Sequence, residues 1–156
     1  MNFSDISLQL FLMFLGIAFG AGIYEARVVL PLWFNKINGK YSANYENLAE
    51  IDSGRKFWGF ITTVPLTILT IINIVLAAQS AEQISILWLT ASLIVLAERI
   101  MTFSFFIPTI IKLQRNKNIP DEVVNKKIPL WINMNYLRNI LMLVSWILIL
   151  QVIILH

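Results

Sequence analysis

Four long apolar runs, separated by short polar connections, constrain this chain more than any other feature. They cover approximately residues 6–34, 57–78, 86–111 and 128–155. About 20 apolar residues cross the hydrocarbon core of a bilayer as a helix, so each run is long enough to span it. With 58% hydrophobic and only 13% charged residues, the 156-residue chain has too little polar surface to enclose four such runs in a soluble core. The sequence therefore predicts one domain, an all-α membrane protein built as a four-transmembrane-helix bundle.

The basic residues outside these runs lie in two of the three connections. There are nine of them among the twelve lysines and arginines of the chain: Lys36, Lys40, Arg55, Lys56, Lys112, Arg115, Lys117, Lys126 and Lys127. Cytoplasmic loops of membrane proteins are enriched in Lys and Arg, so we predict that both loops are cytoplasmic and both termini outside, in a bacterial-type inner membrane. The first five residues include Asp5 and no basic residue, so a cleaved signal peptide is not expected.

Two loop segments have features of short helices. Residues 42–52 place Tyr45, Leu48 and Ile51 at near-helical spacing, and residues 120–127 run from a proline through acidic to basic residues, an order that suits a helix dipole. The pattern fits helices on the membrane surface and plain solvated loops equally well.

Composition excludes several kinds of site. The chain has no Cys, which removes disulfides, thiolate catalysis and Cys-based zinc or iron–sulfur sites. Its single His is His156, so haem, copper and di-iron sites that need imidazole are not expected. We predict no metal and no other cofactor. The pI near 9.3 reflects loop charges that set topology, so nucleic acid is not a predicted partner.

The two halves of the chain share a weak pattern. Glu25 precedes Pro31 and Lys36 in the first run, as Glu98 precedes Pro108 and Lys112 in the third. Two readings stay open: the bundle consists of two repeated helical hairpins, or the ends of membrane helices have converged on similar residues.

Five charged residues interrupt the apolar runs: Glu25, Arg27, Glu98, Arg99 and Arg138. A charge in mid-membrane costs roughly 2.5–3.5 kcal/mol on insertion scales, so such residues usually face the interior of a bundle. At about 1.5 Å rise per residue, Glu25, Glu98 and Arg138 fall at similar depths. We therefore predict that Glu98 contacts Arg138 or Arg27 across the bundle, while Arg27 could also reach the interface with its long side chain.

The charged residues share helical stripes with aromatic and polar ones, which predicts a cavity open toward the cytoplasm or the inner leaflet. Its predicted catalytic residues are Glu98, Glu25 and Arg138, and its predicted ligand-binding residues are Tyr24, Arg99, Trp58, Thr102, Asn135 and Trp131. Two acids and three arginines leave one positive charge, which favours an anionic or enolisable ligand. The alternative is a structural clasp, although buried ion pairs contribute little net stability.

Four segments resemble a known family. The segments GAGIYEARVVLPLWF (20–34), GRKFWGFIT (54–62), AERIMTFSFFIPTIIKLQ (97–114) and YLRNILMLVSW (136–146) resemble, in sequence and order, the small four-helix membrane proteins grouped with the anthrone oxygenases. That resemblance implies oxidation of an anthrone by O2 without metal or flavin. Glu25 or Glu98 would remove an acidic C–H proton, and Arg99, Arg138 and Asn135 would stabilise the oxyanion. The family's catalysts are often credited with a His, which the helices here lack.

Three classes of function follow from the sequence. The first is a cofactor-independent enzyme acting on a lipophilic aromatic or quinol-like substrate. The second is a small-molecule binding protein or small transporter, as a monomer or a homo-oligomer, with Glu25 and Glu98 as coupling acids. The third is a structural subunit of a membrane complex. In each class the surroundings are membrane lipids, and in the first two the partner is a lipophilic small molecule.

Overall fold

A computed structural model describes residues 2–81, 83–115 and 119–155. The described residues form four long helices and one short one: α1 (Phe3–Trp33), α2 (Tyr45–Ile51), α3 (Gly54–Gln79), α4 (Ser85–Arg115) and α5 (Asp121–Leu155). The loop residues Glu82 and Lys117 and the terminal His156 lie outside the described residues.

The four long helices are long and apolar enough to cross a membrane. In each of these helices, at most 39% of the most apolar 18-residue stretch is buried against the rest of the protein. The remaining apolar side chains point outward, among them Phe60, Ile86 and Ile154. A soluble protein rarely exposes so much contiguous apolar surface, so this arrangement suggests a multi-pass membrane protein.

The long helices form a closed ring in which each packs on the next in sequence, and α5 returns to α1. This is the up-and-down topology that short connections favour. In the half of the bundle that contains the chain's N- and C-terminal ends, an apolar core fills the centre: Leu8, Phe11, Leu15, Leu66, Trp88, Met142 and Ile149. The other half, next to the two basic loops, is more open and contains the site.

Three of the four long helices widen into π-helical turns before a proline. The wide segments are Glu25–Val29, Gly54–Thr63 and Thr102–Phe106, and each ends two residues before Pro31, Pro65 or Pro108. In each case the residue just before the proline donates its N–H to the carbonyl five positions back. A proline ring clashes with the carbonyl four positions back and lacks an N–H, so the wider turn relieves the clash.

The first connection contains a two-stranded antiparallel hairpin, so the all-α prediction is wrong for this segment. Strand β1 (Phe34–Ile37) pairs with β2 (Lys40–Ala43). Asn38 and Gly39 both have positive φ, the combination that a tight Asn-Gly hairpin turn requires. Tyr41 N–H donates to Asn125 Oδ1 at 2.6 Å, which fastens the hairpin to the start of α5.

Within the predicted segment 42–52, Tyr45–Ile51 form the short helix α2, whereas residues 42 and 43 belong to strand β2. The helix packs inward. Leu48 is fully buried in a second apolar cluster with Trp33, Leu113, Ile128 and Trp131. The side-chain amide of Gln114 donates to the Leu48 carbonyl at 3.1 Å, which ties α2 to the end of α4. Residues 120–127 do not form a separate surface helix, because α5 continues from Asp121 without a break.

Candidate ligand-binding site

A cavity of about 410 Å³ lies inside the open half of the bundle. It runs from the level of the buried charges to the ends of the helices at the basic loops. All four long helices line it, with Glu25, Trp33, Gly54, Arg55, Trp58, Gly59, Thr63, Arg99, Thr102, Phe106, Ile107, Ile110, Ile111, Gln114, Arg115, Trp131 and Arg138. The volume is in the range of sites for small organic molecules.

Arg138 is held in the wall by an ion pair and by two aromatic rings. Its Nη2 lies 2.6 Å from Glu25 Oε2, which joins α5 to α1. Its guanidinium carbon lies 4.8 Å from the centre of the Trp58 ring and 4.7 Å from that of Phe106. A planar guanidinium can stack on aromatic faces and keep its in-plane N–H groups for an oxygen, which an ammonium cannot do. The wide turns of α1, α3 and α4 supply these three partners.

Glu98 contacts Arg99 and does not form the predicted ion pair with Arg138 or Arg27. Its Oε2 accepts from Arg99, its sequence neighbour, and its Oε1 accepts from Thr102 Oγ1 at 2.9 Å. Glu98 is fully buried and is not part of the cavity wall, whereas Arg99 and Thr102 are. The Glu98–Arg138 pair was predicted because the two residues lie at similar depths along their helices. In the structure, Glu25 is the acid that faces Arg138.

The other predicted site residues divide into lining, supporting and outward-facing groups. Trp58 and Trp131 line the cavity. Asn135 is buried behind the wall, with its amide nitrogen 3.5 Å from Glu25 Oε2. Tyr24 is 61% exposed and points away from the bundle, so its predicted place in the wall is wrong. Arg27 is also exposed, which agrees with a side chain that reaches the interface.

Three N–H donors of cavity residues have no acceptor among the described residues. They are Arg99 Nη1 and the indole Nε1 atoms of Trp33 and Trp131. A buried donor left without a partner costs about 1–3 kcal/mol. A molecule with acceptor oxygens could offset that cost, so the wall favours an oxygen-bearing ligand.

The sequence reading missed the part of the cavity near the loops. Trp33, Arg55 and Arg115 line it there, together with the isoleucines of α4. The signal was present, because Phe106, Ile110 and Gln114 continue the helical stripe of Arg99 and Thr102 to the end of the run. Among the described residues, no three His, Cys, Asp or Glu side chains lie together as potential metal ligands.

A second buried polar cluster lies in the closed half, away from the cavity. Asn73 on α3 donates to Ser7 Oγ at 3.0 Å and accepts from Trp88 Nε1 at 3.0 Å. It also donates to the Leu69 carbonyl. The contacts to Ser7 and Trp88 join α3 to α1 and α4 inside the packed core, so this cluster holds the three helices together.

Comparisons with known proteins place the chain in no group: no family model, curated protein or solved structure matches it significantly.

Proposed function

We propose that this chain is a multi-pass membrane protein, with both termini outside and both basic loops in the cytoplasm, whose cavity binds a lipophilic small molecule bearing an acidic or anionic oxygen. One observation carries the proposal. Arg138 lines an aromatic cavity in the interior of an apolar bundle, held between two rings and against Glu25. Placing charge at such depth is costly, and function is the usual reason for retaining it.

The chemistry of the wall indicates the ligand class. Trp58, Phe106 and Trp131 offer apolar faces, while Arg99 and Arg138 offer guanidinium groups. Pockets for small molecules combine an apolar lining with a few convergent polar groups in this way. The closed half of the bundle is packed with apolar side chains, which favours a binding site over a transport path with two open ends.

A binding experiment with matched variants tests this proposal. Anthraquinone carboxylate, a rigid lipophilic anion, should quench the fluorescence of the cavity tryptophans in purified protein. Arg138→Lys should weaken binding about tenfold, since Lys cannot stack and donate in the same geometry. Arg27→Lys is the matched control, because Arg27 faces outward, and should bind as the native protein does. Equal affinity in all three proteins, or no quenching in any, would refute the proposal.

A second candidate function is oxygenation of an anthrone, as the family resemblance implies. The observation that favours it is the Glu25 carboxylate in the cavity wall, where it could take a proton from an enolisable C–H. The resulting carbanion would react with O2, so that one anthrone and one O2 give one anthraquinone and one water. Glu98, predicted as an alternative base, has no place in the wall and is the weaker choice.

Turnover separates this candidate from binding alone. Anthrones oxidise slowly by themselves in air, so the rate with protein must exceed that of a protein-free blank. Glu25→Gln should reduce the rate to the blank while anthraquinone carboxylate still binds. An unchanged rate in Glu25→Gln, or a native rate equal to that of the blank, would contradict the oxygenase function. The proposed binding function would then stand alone.

A further inference from the structure

The charges along the cavity are unequally compensated. At its inner end, Arg99 is paired with Glu98 and Arg138 with Glu25. At the loop end, Arg55 is paired with Asp52 at 2.9 Å. Arg115 also lines the cavity and is exposed, and no carboxylate among the described side chains forms an ion pair with it. Among the described side chains, Arg115 at the mouth is thus the arginine of the wall that has no ion-pair partner.

The inner end instead offers a hydrogen-bond donor. Arg99 already has its charge matched by Glu98, but its Nη1 has no acceptor among the residues described. A neutral carbonyl or hydroxyl oxygen satisfies a donor without adding a charge that must be desolvated. The two ion pairs at this end balance each other's charge, so it offers no net positive charge to attract an anion.

The cavity between these ends is elongated and apolar. On α4 the lining continues from Arg99 to Arg115, 16 positions and roughly 24 Å of helix. Ile107, Ile110 and Ile111 form the stretch between them. The Val64–Gln79 segment of α3 packs closely on the Ser85–Met101 segment of α4. Nearer the mouth, the cavity lies between the two helices. Ile111 lines the cavity and is also exposed, so the cavity reaches the outer surface of the bundle beside this residue.

We infer that the ligand is an elongated single-chain amphiphile, bound with its anionic group at Arg115 and a neutral oxygen at Arg99. This inference rests on the proposed binding function and specifies its ligand class. An ω-hydroxylated carboxylate of medium chain length has both groups, joined by an apolar chain. A rigid tricyclic anion has the charge but not the length.

Paired ligands and paired variants test the orientation. The probes are ω-hydroxylaurate, laurate and methyl ω-hydroxylaurate, and native mass spectrometry gives their relative affinities. In native protein, the ester should bind about tenfold more weakly and laurate about fivefold more weakly than ω-hydroxylaurate. In Arg115→Gln the difference between acid and ester should disappear, and in Arg99→Lys the difference between hydroxylated and plain acid should disappear. Lys112→Gln, which removes an exposed charge of α4 outside the cavity lining, should change neither difference.

Each other outcome contradicts the inference. If the acid–ester difference depends on Arg99 and not on Arg115, the ligand is reversed. If anthraquinone carboxylate binds and the three laurates do not, the inference is wrong while the proposed function stands. If none of these probes binds, both are wrong. Should Arg99→Lys fail to fold, the three probes in native protein and Arg115→Gln still decide the position of the charge.

Discussion

Arg138 Nη2 lies 2.6 Å from Glu25 Oε2, although the two residues are 113 positions apart in the chain. The pair joins the first and the last helix of the bundle at the inner end of the cavity. Both side chains are at least 90% buried, so neither charge can be left alone without a large penalty. The same contact therefore closes the helix ring and fixes the orientation of the guanidinium in the wall.

This contact predicts strong coupling between the two residues. Glu25→Gln or Arg138→Gln should each lower the free energy of unfolding by about 3 kcal/mol, because each leaves one buried charge unpaired. The double variant should be more stable than the sum of the two losses predicts, by about 1 kcal/mol or more. Denaturant titration in detergent measures all three. Arg55→Gln, which breaks an exposed pair, should cost less than about 0.5 kcal/mol.

The close approach of α1 to α5 predicts different tolerances at two nearby glycines. A Cβ at Gly22 would overlap Asn139 Oδ1, whereas a Cβ at Gly20 would meet nothing within 4 Å. Gly22→Ala should therefore destabilise the protein by about 1–3 kcal/mol through overpacking. Gly20→Ala should be neutral or slightly stabilising, since Ala is the better helix former. Equal melting temperatures for the two variants would contradict this packing.

The wide turns predict a role for prolines that do not touch the ligand. Pro65→Ala removes the clash that favours the wide turn of α3, and a return to α-helical bonding would rotate the preceding segment by about 100°. Trp58 would then leave Arg138, so anthraquinone carboxylate should bind about tenfold more weakly. Pro129 lies in α5 without a wide turn, so Pro129→Ala is the control and should bind normally. Comparable losses in both variants would argue against this account.

The basic loops predict the orientation in the membrane. A phosphatase reporter, active only outside the cytoplasm, should be active when fused after His156 and inactive when fused within the first basic loop. The reverse pattern would place the mouth of the cavity outside the cell. Activity of both fusions would contradict a single orientation.

The sequence predicted the number of long helices and their buried faces better than it predicted which side chains contact one another across the bundle. On α1 the helical period predicts one stripe of five residues, of which four are buried and Ala21 is half-buried: Ala18, Ala21, Gly22, Glu25 and Val29. The Glu98–Arg138 pair was wrong because depth along separate helices does not determine which faces meet. Tyr24 is adjacent to Glu25, and successive helical residues point about 100° apart, so one can line the wall while the other faces outward.

The sequence contains a signal for the hairpin, although the hairpin was not predicted. Asn38 and Gly39 form a dipeptide typical of tight hairpin turns, but they lie between two apolar runs whose length predicts helices. The wide turns could not be read from periodicity, because each adds one residue to a turn and shifts every later position. Pro31, Pro65 and Pro108 marked where they occur, but a proline alone does not determine whether a helix kinks or widens.

Glu98 provides the sharpest distinction between a structural clasp and a binding site. Glu98→Gln removes the charge that compensates Arg99 but leaves a side-chain oxygen for Thr102. Arg99 would then carry an unmatched positive charge in the cavity wall, so an anion should bind more tightly relative to its neutral analogue. We expect the affinity ratio of anthraquinone carboxylate to its methyl ester to rise about tenfold, since interactions with charged groups contribute about 1.5–3 kcal/mol. A ratio is the correct readout because both probes share any loss of stability. If Glu98 serves only to neutralise Arg99 within α4, with no effect on a ligand, Glu98→Gln will lower the melting temperature and leave that ratio unchanged.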